Sequence, residues 1–240
     1  MKWYTFIAAM CFVSVPCTAY AEEDGAREKI RAHLMQASKA QPLPNSRAIV
    51  MFGPQGQAVV VTDNPRYVVK GELFDMWQNE ALKSQTAVDA SAKTLPLSKM
   101  NVDTVNLLDV VVNPEKLNLV TIFLDPFESN SGDVVKILRK YAANYRLRFI
   151  FTTNKDEHVS PLKAFACEVA TQNADRILTA IEQQQFTTTT QACYENQLIK
   201  TLGLAGFLRI TTSPTIIAPN SKYIEAFPAN LMQWLADNKE

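Results

Sequence analysis

Six consecutive residues, Leu119–Leu124 (LVTIFL), are apolar at every position except Thr121. A strand with one wet face alternates apolar and polar side chains, so an unbroken run of this kind suits a strand buried on both faces. Regular elements are expected from there to the end of the chain. A helix is expected from Ser131 to Ala143, with Val134, Val135, Ile137, Leu138 and Tyr141 on its apolar side, then a strand at Leu147–Thr152. Next come a helical region from Leu162 to about Glu182 and a helix from Ala192 to Leu202. Strands at Pro214–Ala218 and Tyr223–Ala226 and a terminal helix at Ala229–Asn238 close the chain.

The first half reads differently. Residues Ala26–Lys39 place Ile30, Leu34 and Met35 at helical spacing, and Pro42 and Pro44 end that helix. Strand-like segments follow at Arg47–Phe52, Ala58–Thr62, Arg66–Val69 and Glu72–Trp77. Gly53-Pro54-Gln55-Gly56, Asp63-Asn64-Pro65 and Lys70-Gly71 separate them as turn signals at hairpin spacing. A helix-plus-meander unit of about 50 residues has a marginal core, so it is expected to bury apolar surface against another copy or domain. Residues 81–98 are polar and small. Val102, Val105, Leu108 and Asp109 then suggest a linker helix reaching Val112, stopped by Asn113-Pro114. The class is α+β, and the order β-α-β, helical insertion, β-β-α in the second half matches a thioredoxin-like fold.

Composition narrows the function. With 24 basic and 24 acidic side chains and 47% hydrophobic residues, the chain is not a disordered polymer. A neutral total also argues against a nucleic-acid partner, which demands an excess of Lys and Arg. The start, Met1-Lys2 followed by the mostly apolar Trp3–Val15 and then Ala19-Tyr20-Ala21, has the pattern of a cleavable secretory signal. Cys17 raises a lipoprotein reading, but Val15-Pro16 lacks the small residue expected just upstream, so cleavage after Ala21 is expected. No later stretch reaches membrane length. Of four cysteines, Cys11 and Cys17 then leave with the signal, and Cys167 and Cys193 remain. In an oxidising compartment two cysteines favour one structural disulfide, worth about 3–4 kcal/mol for a ring of this length. The competing reading is a redox-active pair, against which the wide spacing speaks.

Three stretches resemble the DsbC/DsbG family of periplasmic disulfide isomerases. Arg66–Asp75 (RYVVKGELFD) is similar to the hairpin of that family's N-terminal dimerisation domain. Val120–Phe127 (VTIFLDPF) is similar to the strand that delivers its active-site CxxC, and Thr212–Thr215 (TSPT) to the loop whose cis-proline faces that motif. Cys167 and Cys193 fall where the family places its structural pair. The resemblance implies a signal peptide at 1–21, an N-terminal dimerisation domain at 22–92, a linker helix at 93–114 and a thioredoxin-like domain at 115–240. It also implies a homodimer in the periplasm, with protein clients and no cofactor or metal.

The departure from the family lies at its reactive centre. Where the family has Cys-x-x-Cys, this chain has Glu128-Ser129-Asn130-Ser131. Thiol–disulfide exchange needs a thiolate and a mixed disulfide, which neither a carboxylate nor a hydroxyl can form. The expected function is therefore protein binding without redox chemistry, as a chaperone or as a scaffold part of an envelope secretion or conjugation assembly. The binding groove would be formed by Phe127, Glu128, Ser129, Asn130, Ser131, Ser213 and Pro214, with Pro214 expected cis. The alternative is residual oxidoreductase or isomerase activity through Cys167 and Cys193.

Asn130 or Ser131 is expected to cap the following helix, with Glu128 and Asp133 near its positive end. A hydrolase built on Glu128 and Ser131 is the outlying possibility, since no Gly-x-Ser-x-Gly elbow or well-spaced His accompanies them. His33 and His158, the only two histidines, lack metal-ligand spacing and are expected to be solvated. Phe127 could line the groove or pack beneath the helix. Phe74, Met76 and Trp77 could face a client cleft, or pack against the linker or a partner's hairpin.

Overall fold

A computed structural model describes residues 40–239, except 45, 54, 65, 142 and 188–192. The expected signal segment, the helix at 26–39 and His33 lie outside the described residues. Two compact units emerge, one of residues up to 73 with 83–85, the other of 74–82 with 86–240.

In the first unit, β1 (Gln41–Pro42), β2 (Ile49–Phe52), β3 (Ala58–Val61) and β4 (Val68–Gly71) form an antiparallel meander in sequence order. Val50 and Ala58 are buried, yet all four residues of β4 are exposed. The last strand is shifted from the expected Arg66–Val69 because Asn64 closes a tight turn. Its side chain accepts the Arg66 N–H and its carbonyl the Tyr67 N–H. The chain continues through a short hairpin, β5 (Leu73–Asp75) with β6 (Glu80–Leu82), and helix α1 (Gln85–Ser91). Asp75 closes the hairpin turn by accepting the Trp77 and Gln78 N–H groups.

The second unit is built on five strands in the order β11-β10-β8-β9-β7. They are β7 (Asp109–Val112), β8 (Leu119–Leu124), β9 (Arg146–Phe151), β10 (Thr215–Ile217) and β11 (Tyr223–Glu225). Strands β8 and β9 are parallel in the register Leu119↔Arg146 to Leu124↔Phe151, and the other pairings are antiparallel. Helix α2 (Ser131–Arg139) crosses between β8 and β9. The helices α3 (Asp156–Thr171), α4 (Ala174–Gln183) and α5 (Glu195–Phe207) are inserted before β10, and α6 (Leu231–Asp237) follows β11. This is the arrangement of a thioredoxin-like fold with a helical insertion.

The apolar run explains itself in this sheet. Val120, Ile122 and Leu124 enter one core cluster with Leu147, Phe149 and Phe151, while Phe123 and Ile150 enter a second cluster with Leu204, Leu208 and Ile217. Both faces of β8 are thus covered, and neither needs a polar alternate. Helix α2 docks through Val134, Val135 and Leu138. It approaches α4 so closely at Gly132 that a Cβ would lie 3.0 Å from the Glu182 carbonyl oxygen. Arg139 then joins Asp175 and Glu182 of α4, each at 3.1 Å. Cys167 of α3 and Cys193, just before α5, are joined in a disulfide with Cα atoms 4.8 Å apart.

Two expectations need correction. The linker helix does not form: within 93–114 the chain makes turns and then strand β7. Asn101, Asn106 and Asn113 sit at φ 50°, 55° and 52°, which interrupts any right-handed helix, and the β-branched Val110–Val112 pair with β9 instead. Helix α3 starts at Asp156 rather than Leu162 and runs through Pro161. Asp156 and Glu157 in its first turn complement the helix dipole and support the earlier start.

Candidate functional site

Asp125 directly follows strand β8, and its side chain is buried, with the residue 1% exposed. A buried carboxylate must be fully engaged, and this one is. Its Oδ1 accepts the Phe127 N–H at 3.0 Å. Its Oδ2 accepts the Thr153 hydroxyl at 2.6 Å and faces His158 Nδ1 at 2.7 Å. The backbone N–H of Asp125 donates to Ser213 Oγ at 2.8 Å. One residue therefore ties together the end of β8, the segment after β9, the first turn of α3 and the loop before β10. The Ser213–Pro214 peptide in that loop is cis, and Thr215 immediately beyond pairs with Phe123.

In the segment 128–131 the first and last side chains are both engaged. Ser131, the first residue of α2, is 0% exposed, and its hydroxyl donates to the Asp125 carbonyl oxygen. It is not the helix cap. Asn130 holds that position and makes no side-chain capping bond, so the expected capping role for either side chain gives way to this bond between Ser131 and the backbone of Asp125. Glu128 pairs with Lys155 at 2.7 Å, and the hydrogen bond to the Glu128 carboxylate holds the Lys155 ammonium above the usual lysine range. Ser129 and Asn130 remain exposed.

Chemically, this leaves little to react. The Ser131 hydroxyl is out of solvent with its proton committed, so it is not placed as a nucleophile, and Glu128 is engaged by a cation. His158 and Asp125 have the hydrogen-bond geometry by which a carboxylate orients an imidazole. Among the described residues, no group of three or more His, Cys, Asp or Glu could hold a metal ion.

His158 is the residue that sequence reasoning misses. The expectation of a solvated loop residue beside Asp156-Glu157 is wrong: it lies in α3 with its side chain 18% exposed against Asp125. Its partner is 33 positions away, and periodicity carries no signal for such a contact. Phe127 is half-buried and packs among Phe186 at 4.7 Å, His158 at 5.8 Å and Phe165 at 6.0 Å. Trp77 packs on the second core cluster with its ring 6.1 Å from Phe207, while Phe74 and Met76 are exposed.

Two clefts flank the sheet ends. The larger, about 620 Å³, lies near Asn106, Arg146 and Arg148 at the starts of β8 and β9, away from Asp125. The other, about 460 Å³, is lined by Thr153, Lys155 and Thr211 and adjoins the Asp125 cluster. Among the described residues, no helix is long and apolar enough to cross a membrane.

No protein-family model matches the chain, and no curated protein matches it either. Among solved structures it is similar to a disulfide interchange protein from Neisseria gonorrhoeae, at 16% identity and a TM-score of 0.46, over 56% of this chain and 97% of that one. It is also similar to Helicobacter pylori DsbG, at 12% identity and a TM-score of 0.39, over 79% of this chain and 98% of that one.

Proposed function

We propose that this chain is a member of the DsbC/DsbG family that has exchanged redox chemistry for protein binding. It is exported to the periplasm by a signal at 1–21 and dimerises through residues 22–92. It offers the exposed Ser129 and Asn130, with the partly exposed Phe127, Glu128 and Ser213 beside them, to an extended polypeptide, while the expected groove residues Ser131 and Pro214 are buried and only support that surface. The observation that carries this reading is the state of the two positions where thiols would stand. Glu128 is paired with Lys155, and Ser131 is buried on the Asp125 carbonyl, so neither position presents a free nucleophile.

Within that reading, a fixed part of an envelope assembly is favoured over a holdase for many clients. A promiscuous isomerase gains from its cysteines, whereas a scaffold needs only the surface. Crosslinking in the periplasm with mass spectrometry of co-purifying proteins decides between them. A small stoichiometric set of envelope proteins is the expected result, and a broad set of destabilised secreted proteins would establish the holdase. Insulin reduction by the mature protein should stay at background, because its two expected cysteines are joined to each other. Turnover that disappears in a Cys167→Ala, Cys193→Ala variant would overturn the redox-inactive reading.

A further inference from the structure

One face of the five-stranded sheet changes character along its length. Side chains alternate between the faces of a strand, so the register that sets Phe123 beside Ile150 also sets Leu119 of β8 beside Arg146 of β9, and Arg148 beside Val111 of β7. At one end this face is core, where Phe123 and Ile150 pack with Leu204 of α5 and Leu208 just beyond it. The other end opens into the cleft of about 620 Å³, whose lining includes Val111, Leu119, Arg146 and Arg148. An arginine set among apolar side chains calls for a carboxylate. Arg148 has one: its Nε donates to Asp109 Oδ2 at 2.5 Å, and its Nη2 donates to the Thr104 carbonyl at 2.6 Å. Arg146 is only partly exposed, and among the described residues its guanidinium makes no ion pair, hydrogen bond or ring contact.

The lining thus holds two guanidinium groups against one carboxylate, and Asp109 is already taken by Arg148. Asp103, beside the lining, is paired with Lys200 at 2.5 Å, and Glu115 and Glu195 do not line the cleft. Around the unanswered cation the walls are apolar and in water: Val105 is 65% exposed, and the Tyr194 ring is 41% exposed on a left-handed backbone at φ 51° that bulky residues rarely adopt. From this placement we infer that the cleft binds an amphipathic monocarboxylate, a small organic acid with one carboxylate on an apolar chain. The carboxylate meets Arg146, whose planar fork suits two-point recognition, and the chain covers Val105, Val111, Leu119 and Tyr194. One surplus positive charge selects one negative charge, because a dianion would bring a second against the Asp109 carboxylate. The volume lies within the range of about 300–1,000 Å³ typical of small-ligand sites. The cleft lies away from Asp125, so the inference stands apart from the surface proposed above for polypeptide.

The test titrates the mature protein with sodium octanoate, read by calorimetry and by amide shifts in NMR spectra. Octanoate should shift amides at 104–111, 146–148 and 194–197. It should bind about tenfold more tightly than octanamide, which lacks the charge, acetate, which lacks the chain, or octyl phosphate, which carries the second charge. Arg146→Gln should cut octanoate binding about tenfold and leave octanamide unchanged. Because no ion pair is lost, it should move Tm by no more than about 2 °C. Arg146→Lys keeps the charge without the fork and should fall between. Val105→Glu, at an exposed position on the wall, should weaken octanoate severalfold by repulsion while leaving Arg146 in place.

Octanoate shifts absent from these residues, or unchanged in both Arg146→Gln and Val105→Glu, would overturn the site. If Arg146→Gln fails to fold, the result with Val105→Glu decides by itself. A short peptide ending in Ser-Ala-Leu with a free carboxylate is the last arm, and it should bind more weakly than octanoate. Tighter binding that disappears in its C-terminal amide would give the cleft to polypeptide ends and overturn the small-acid occupant.

Discussion

Strands β8 and β4 come from different sheets of one chain and live in opposite surroundings. Five of six residues in β8 are buried, and every residue of β4 is exposed, with Val69 at 60%. Both are rich in β-branched and apolar residues, so propensity does not distinguish them. Coverage does. The five-stranded sheet closes its own core with helices from the same unit, whereas the meander ends on a strand whose Val68 and Val69 are exposed, as is Tyr67 just before it. Among the described residues β4 is an edge strand with exposed apolar side chains, and such a strand invites pairing with another chain, in line with the dimer proposed for this unit.

The largest contrast is expected between truncations at the two strands. Phe123→Ala, at a fully buried position in the second core cluster, should cost about 3–5 kcal/mol in urea unfolding. Val69→Ser should change monomer stability by no more than about 0.5 kcal/mol, yet shift the sedimentation equilibrium of the mature protein toward monomer. Equal stability losses at both positions would erase the distinction. Unchanged self-association in Val69→Ser would take the dimer interface away from β4.

Next in size is the disulfide. Replacing Cys167 and Cys193 by Ala should cost about 3–4 kcal/mol by the loop-closure estimate, and the loss should fall on the thioredoxin-like unit alone. Following the unfolding of each unit by hydrogen exchange checks this. Loss of protection in β2 and β3 as well would show the meander to depend on its neighbour. The Asp125 cluster comes third. Asp125→Ala leaves the Thr153 hydroxyl, the Phe127 N–H and the His158 ring without their partner; all three are part-buried and can turn to water, so the total cost should be about 1–3 kcal/mol. Asp125→Asn keeps the size and an acceptor and should cost less.

These same residues show how far a sequence can be read. The central strand is legible because burial on both faces imposes a local pattern, an unbroken apolar run, and the cis-proline loop is legible through its likeness to a family. The edge strand β7 is not. Val102, Val105 and Leu108 imitate a helical stripe, and only the left-handed asparagines and the pairing with β9 break it. The identity of Glu128 and Ser131 tells that neither position can carry thiol chemistry, but not what the two side chains do. The Ser131 bond to Asp125 and the approach of His158 depend on how β8, α2 and α3 converge. Contacts of that kind join residues distant in sequence and leave no periodic trace.

The smallest expected effect belongs to the Glu128–Lys155 pair, and its sign follows from the charge. Folding raises the pKa of Lys155 through its hydrogen bond to Glu128. The pair's contribution is therefore complete below the ordinary lysine range and disappears as pH rises through the folded value. Lys155 is 41% exposed in its side chain, so solvent and salt screen the interaction and the contribution is slight. Thermal unfolding of wild type and Lys155→Met should differ by a small margin from pH 7 to 9, and the difference should vanish in strong alkali or in 1 M salt. A difference that survives both would mean that the lysine acts through its methylene stem on the wall of the neighbouring cleft. The pair would then shape that cleft by packing, and its charge would be incidental to it.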